Sequence, residues 1–141
     1  GATILEKYNG IYPNLVDEIV TLMEIGNIST TKQDITKATY YGKRTPEDGG
    51  TNWDWQKERI RNWVRAQVRP YPGAFSHIGS EKITIHKVSY SDYGFIDITP
   101  NGSVLAVIES KPIVKTQNGA IVLEDYEYVG TIKEGQILKT I

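Results

Sequence analysis

The chain has no cysteine, which excludes a disulfide framework and any thiolate metal site. Histidine is almost missing as well. His77 and His86 are the two, and neither has a second histidine or a carboxylate at metal-ligand spacing, which argues against zinc. No apolar run approaches the roughly 20 residues needed to span a bilayer. The N-terminus has no basic segment followed by an apolar core, so no secretory signal is visible. A cytoplasmic, membrane-free protein is the expectation. Net charge is close to absent too: at −1, nothing global draws the chain to nucleic acid. No G-x-S-x-G element, triad order, or glycine-rich phosphate loop of Walker or Rossmann type occurs, and no internal repeat. Nothing in the sequence forms a complete catalytic constellation by itself.

What is present is 141 residues, 39% apolar and 23% charged, the size and balance of one domain or of one small domain plus a piece of another. The charge is unevenly placed. Residues 51–70 carry Lys57, Arg59, Arg61, Arg65 and Arg69 against Asp54 and Glu58, while the flanking segments are each slightly acidic. Such a cluster reads either as a solvated helix face or as a site for phosphate or nucleic acid.

Apolar residues at Ile4, Leu5, Tyr8, Ile11, Tyr12, Leu15, Val16, Ile19, Val20 and Met23 recur at helical spacing, predicting an amphipathic helix over residues 3–25. Thr3 and Glu6 are placed for a capping box, Gly10 and Pro13 weaken the middle, and Gly26-Asn27 is a stop. Residues 28–50 are polar and offer little to cover that helix. They hold one short strand candidate, Ala38–Tyr41, and a turn-rich loop, Thr45–Gly50. A second helix is predicted from about Asp54, its N-cap, to Pro70, with Ile60, Trp63, Val64 and Val68 buried. His77 reads as a loop residue. From about Lys82 the period changes to two, giving strand candidates at 82–89, 94–98, 103–109, 112–116, 120–127 and 136–140, with Asn101-Gly102 and Asn118-Gly119 as turns. Several short strands with tight turns suggest a small barrel, an OB-like Greek key.

Aromatic residues (Trp53, Trp55, Trp63, Tyr71 and Phe75) gather around the cationic helix. They could stack on a base, or simply staple two layers together. Glu47 and Asp48 could serve acid/base work or merely form a turn.

Three stretches carry a resemblance: Arg44-Thr45-Pro46-Glu47-Asp48-Gly49; Ile60-Arg61-Asn62-Trp63-Val64-Arg65-Ala66; and Pro70-Tyr71-Pro72-Gly73-Ala74-Phe75. In this order, with Trp53 between the first two, they resemble the 10-formyltetrahydrofolate-dependent formyltransferases. The likeness is strongest to the sugar-nucleotide N-formyltransferases, such as those acting on UDP-4-amino-4-deoxy-arabinose, and extends to the methionyl-tRNA formyltransferases. It implies an α+β fragment. Residues 1–50 would be the remnant of a Rossmann-like catalytic domain ending in its last helix, 51–75 a linker helix and corner, and 76–141 an OB-like β-domain.

The family's catalytic asparagine and histidine lie in an N-x-H-x-S-x-L-P-like segment, with an aspartate further on. No such segment occurs here. The resemblance therefore implies a C-terminal fragment without its own catalytic set, expected to be inactive alone. The parent would move a formyl group from 10-formyltetrahydrofolate to an amino-sugar nucleotide or another small amine. By the same resemblance Arg44, Glu47, Asp48, Arg65 and Tyr71 lie on the acceptor side, where a guanidinium suits a diphosphate; Arg65 bracing the loop through Glu47 or Asp48 is the alternative. Two other readings stay open: a tRNA-gripping module, and a dimerisation module that pairs two copies through its helix or strand edges.

Overall fold

The computed structural model describes residues 2–140. They form two compact units, one spanning Ala2–Arg44 and one beginning at Thr45. Residues 45–50 thus group with the barrel segment.

The first unit is one long helix, α1 (Ala2–Glu24), and an irregular tail. The helix runs unbroken through Gly10 and Pro13. It already includes Thr3, so Thr3 is a helical residue and not the cap expected of it. Its C-terminus is where the sequence puts it. The Gly26 amide donates to the Met23 carbonyl and that of Asn27 to Leu22, with Gly26 at φ +70°, a Schellman ending that satisfies two otherwise orphaned carbonyls. The apolar stripe from Ile4 to Met23 stays exposed, with Tyr8 and Tyr12 stacked along it. Ala38–Tyr41 is not a strand. It follows a short 3-10 turn, Ile35–Lys37, capped by the Asp34 carboxylate on the Thr36 amide, and Tyr40 and Tyr41 are exposed.

The second unit holds a 3-10 turn (Pro46–Gly49), helix α2 (Lys57–Gln67) and six strands: β1 (Ala74–Ile78), β2 (Glu81–Ser91), β3 (Val104–Ile108), β4 (Lys111–Thr116), β5 (Gly119–Glu127) and β6 (Leu138–Lys139). All the strand pairs are antiparallel, in the order β3-β4-β5-β2-β1-β6. The meander β3–β5 returns to lie beside β2, which makes the expected Greek key. Its two outer strands meet along a short seam, where Leu138 donates to Gly102, Val104 to Gln136 and Gly135 to Val104. Side chains alternate into the barrel, but β2 changes parity. Ile83 and Ile85 are buried, then Val88, because a bulge around His86 and Lys87 inserts a residue. Ile60 and Val64 of α2, one turn apart, join the same core.

Further expectations need correction in this unit. The segment 94–98 is not a strand: it belongs to the crossover from β2 in mid-sheet to β3 at the edge, and Ile96 and Ile98 are exposed there. A strand was missed in front of the barrel, β1, so His77 is a strand residue. Asp54 is not the cap of α2. The first helical amide, Lys57, donates instead to Asn118 Oδ1 on the β4–β5 turn, 2.8 Å away. Trp63 is half-buried beside the core rather than within it, and Val68, also half-buried, lies just past the end of α2 as its C-cap.

Candidate functional site

The loop and the corner singled out in the sequence come together at a joint. The Trp63 indole on α2 donates to the Gly49 carbonyl at 3.2 Å, and the Gly73 amide donates to Gln67 at the helix end. The Thr51 amide donates to Phe75 of β1. A Cβ on Gly49 would lie 2.8 Å from the Gly73 carbonyl, so both glycines are set by close approach. Gly73, at φ +95°, also backs onto Thr84 and the His86 ring.

Within this joint Asp48 serves its own turn. Its carboxylate accepts from the Thr45 amide at 2.7 Å and from the Thr45 hydroxyl at 3.3 Å. Glu47 is exposed, and its carboxyl is held below the ordinary range, first by the Thr45 side chain, with Lys82 adding a smaller electrostatic pull. Tyr71 is exposed on the corner. Arg65 is exposed on the last turn of α2, and Arg44 is the exposed last residue of the first unit. Glu47, Asp48 and Tyr71 therefore sit on two segments that the Gly49–Gly73 contact joins.

The cationic face of α2 is packed onto aromatic rings. Arg59 lies 4.1 Å from the Trp55 ring centroid, and Arg61 and Lys57 lie 5.3 and 5.6 Å from that of Tyr90. Cation–π contact holds these heads against the barrel without neutralising them.

Two clefts were not foreseen. One of about 250 Å³ is lined by Arg69, His86, Asp125 and Glu127; the bulge aims His86 at Glu127 (Nε2 to Oε1, 3.0 Å), with Arg69 3.6 Å from the same oxygen. The other, about 550 Å³, lies beside the barrel seam between Asn52–Asp54, Pro100-Asn101 and the segment 137–140. Behind it Lys115 is buried, its Nζ donating to Asn101 Oδ1 at 2.7 Å and lying 4.8 Å from the Phe95 ring centroid. Asn101 Nδ2 donates in turn to Asp54 Oδ1 at 2.8 Å. The sequence signal for this cluster was a lysine inside the otherwise apolar run Pro112-Ile113-Val114-Lys115. Among the described residues no group of three or more His, Asp or Glu side chains is placed to hold a metal, and no helix is long and apolar enough to cross a membrane.

Comparison with known proteins gives two findings. A family model described as formyl transferase, C-terminal domain, matches residues 43–132. Among solved structures, HypX from Aquifex aeolicus in complex with tetrahydrofolic acid aligns at 19% identity with a TM-score of 0.57, covering 82% of this chain and 20% of that one. A doubly substituted HypX variant from the same organism aligns at 20% identity, TM-score 0.56, with the same coverage. The chain thus spans about a fifth of the length of these structures, and at such identity the likeness is one of fold.

Proposed function

Because the chain belongs to the formyl transferase C-terminal domain family, we propose that it is the barrel-bearing C-terminal part of an enzyme that moves a formyl group from 10-formyltetrahydrofolate to an amine, that of an amino-sugar nucleotide. The family match over residues 43–132 carries this reading. The folate donor is supported by the tetrahydrofolic acid complex of HypX, a protein with a similar barrel. The amino-sugar acceptor rests on the resemblance of Arg44–Gly49 and Pro70–Phe75 to the sugar-nucleotide N-formyltransferases.

The clefts beside the seam and around His86 are open and lined more by polar than by apolar surface, unlike the mostly apolar pocket that suits a flat ring system. No step of the transfer is therefore routed through these side chains. In the parent, a neutral acceptor amine would attack the formyl carbon, with groups outside this chain moving the proton and steadying the oxyanion. The barrel unit's part is to hold the 46–50 turn and the 70–75 corner in fixed register.

The test is formyl transfer by the full-length parent, following tetrahydrofolate release with UDP- and dTDP-linked amino sugars and with methionyl-tRNA as separate acceptors. Turnover with an amino-sugar nucleotide is expected, and none from the 141-residue chain alone. Transfer to methionyl-tRNA but to no sugar would replace the acceptor assignment, and transfer to no amine would overturn the reading.

A further inference from the structure

We infer that the cleft beside the barrel seam is a binding subsite for an aminated sugar, with Asp54 receiving the ammonium group. The cleft is lined by apolar surface of Trp53, Pro100 and Ile137 together with polar Asn52, Asp54 and Lys139. At about 550 Å³ it has room for a hexose ring, and apolar surface with a few fixed polar groups is the make-up of a small-molecule site.

Asn52 and Asp54 are pre-set from behind. Lys115 only donates, so Asn101 must turn Oδ1 toward it, and Nδ2 is thereby aimed at Asp54. The Asp54 amide is held by Asn52 Oδ1 at 2.8 Å. These bonds fix the carboxylate through Oδ1 and through its own backbone. Among the described residues Oδ2 of Asp54 and Nδ2 of Asn52 take no protein partner, leaving an anionic acceptor and an amide donor side by side at the cleft. A carboxylate beside an amide, with apolar surface in the same cleft, suits a ring that carries an ammonium, vicinal hydroxyls and one C–H face. A phosphate would be drawn to Lys139 but would meet Asp54 with like charge, and a purely apolar ligand would leave Asp54 and Asn52 unpaired.

Buried Lys115 has no carboxylate within ion-pair distance among the described residues; its Nζ rests between Asn101 and the Phe95 ring and bears on Asp54 through the orientation of Asn101. It is a positioning residue for Asp54.

The choice of an aminated sugar over other cationic polyols rests on the function proposed above; the cleft itself does not. The test is titration of the 141-residue chain, followed by backbone amide chemical shifts, with methyl glucosaminide, its N-acetylated form and methyl glucoside. Saturable shifts at Asn52, Trp53, Asn101 and Thr140 are expected with the free amine alone. Asp54→Asn should weaken them by about tenfold, the worth of one charge-assisted hydrogen bond. Failure of the free amine to shift these residues would overturn the proposal. So would equal shifts from the N-acetylated or neutral sugar, or undiminished binding by Asp54→Asn. The comparison of three ligands stands even if that variant does not fold. Since no turnover is involved, a failed titration leaves the formyl-transfer reading intact, and a failed transfer assay leaves the cleft intact.

Discussion

Two glycines of the barrel unit share a left-handed backbone and differ in what surrounds them, so alanine at each separates conformational strain from close approach. Gly79, at φ +61° in the β1–β2 hairpin, has nothing within 4 Å of where a Cβ would stand. Gly102, at φ +84°, would place that Cβ only 2.3 Å from the Leu138 carbonyl and 3.2 Å from the Trp53 ring. For Gly79→Ala the cost is the left-handed conformation, about 1–2 kcal/mol, partly offset by the stiffer unfolded chain, leaving about 1 kcal/mol. Gly102→Ala bears the same strain and must also push backbone away, at about 1–3 kcal/mol for overpacking. The Leu138 amide loses its bond to the Gly102 carbonyl, about 1 kcal/mol more. The sum is about 3–5 kcal/mol, a large share of a small domain's stability, and corresponds to a midpoint lowered by roughly 15 °C or more. The assay is urea and thermal unfolding read by tryptophan fluorescence, since Trp53 sits at the seam, alongside far-UV circular dichroism. Equal destabilisation of the two variants would refute the reasoning, because the seam would then be no tighter than a free hairpin.

Other perturbations have outcomes set by single contacts. Asn118→Ala removes the acceptor of the Lys57 amide at 2.8 Å and the partner of Glu58 at 3.0 Å, and should cost about 1 kcal/mol in urea unfolding, in the range of lost helix caps. Trp63→Phe keeps the ring but strands the Gly49 carbonyl, an expected loss of about 1–2 kcal/mol, and hydrogen exchange at residues 45–51 should quicken. Lys111 and Glu124 lie 2.7 Å apart. The Glu124 carboxyl is held below the ordinary range by the hydrogen bond from Lys111 first and Ser89 second, so its contribution is present above the usual carboxylate pKa of about 4.3 and fades as pH falls through the lower folded value. The Lys111 amine is held above its ordinary value by Glu124, so its contribution is lost only as pH rises through that raised value. Glu124→Gln should therefore lower the unfolding midpoint at neutral pH and match the parent chain in strong acid; a gap that persisted there would contradict the assignment.

What the sequence made legible was whatever rests on local chemistry. The period-three stripe gave α1, and Gly26-Asn27 gave its end, because a left-handed glycine closes two carbonyls locally. The alternation after Lys82 gave β2 through β5 to within a residue or two. What failed depended on partners far along the chain. Strand β1, with Ser76 and His77 at its centre, looks like a loop until β2 and β6 pair on either side of it. The cap of α2 comes from Asn118, sixty-one residues away, so no local pattern could assign it. Asn101-Gly102 makes the expected turn, closed by the Ser103 amide on the Pro100 carbonyl, but at the seam and not in a hairpin, whereas the left-handed two-residue turn between β3 and β4 is built from Glu109 and Ser110, which carry no such signature. For the candidate site, the loop and the corner were legible as motifs. The cleft at Asp54 was not, since its lining comes from three separate segments of the chain and the lysine behind it from a fourth.

The motif residues divide by what they bury. A Cβ on Gly49 would meet the Gly73 carbonyl and the Phe75 ring, one on Gly73 would meet Thr84, and Trp63 bonds to Gly49, so their pattern follows from the joint alone, whatever ligand the parent binds. Tyr71 is exposed on the corner, whereas Glu47 and Asp48 keep a local partner in Thr45. A side chain that packing does not require, carried on a segment that packing holds rigid, is the arrangement by which a scaffold presents recognition groups at low entropic cost. The joint thus accounts for the glycines and the tryptophan, the 45–48 turn accounts for Asp48, and Tyr71 is left as the part of the motif for a ligand to explain.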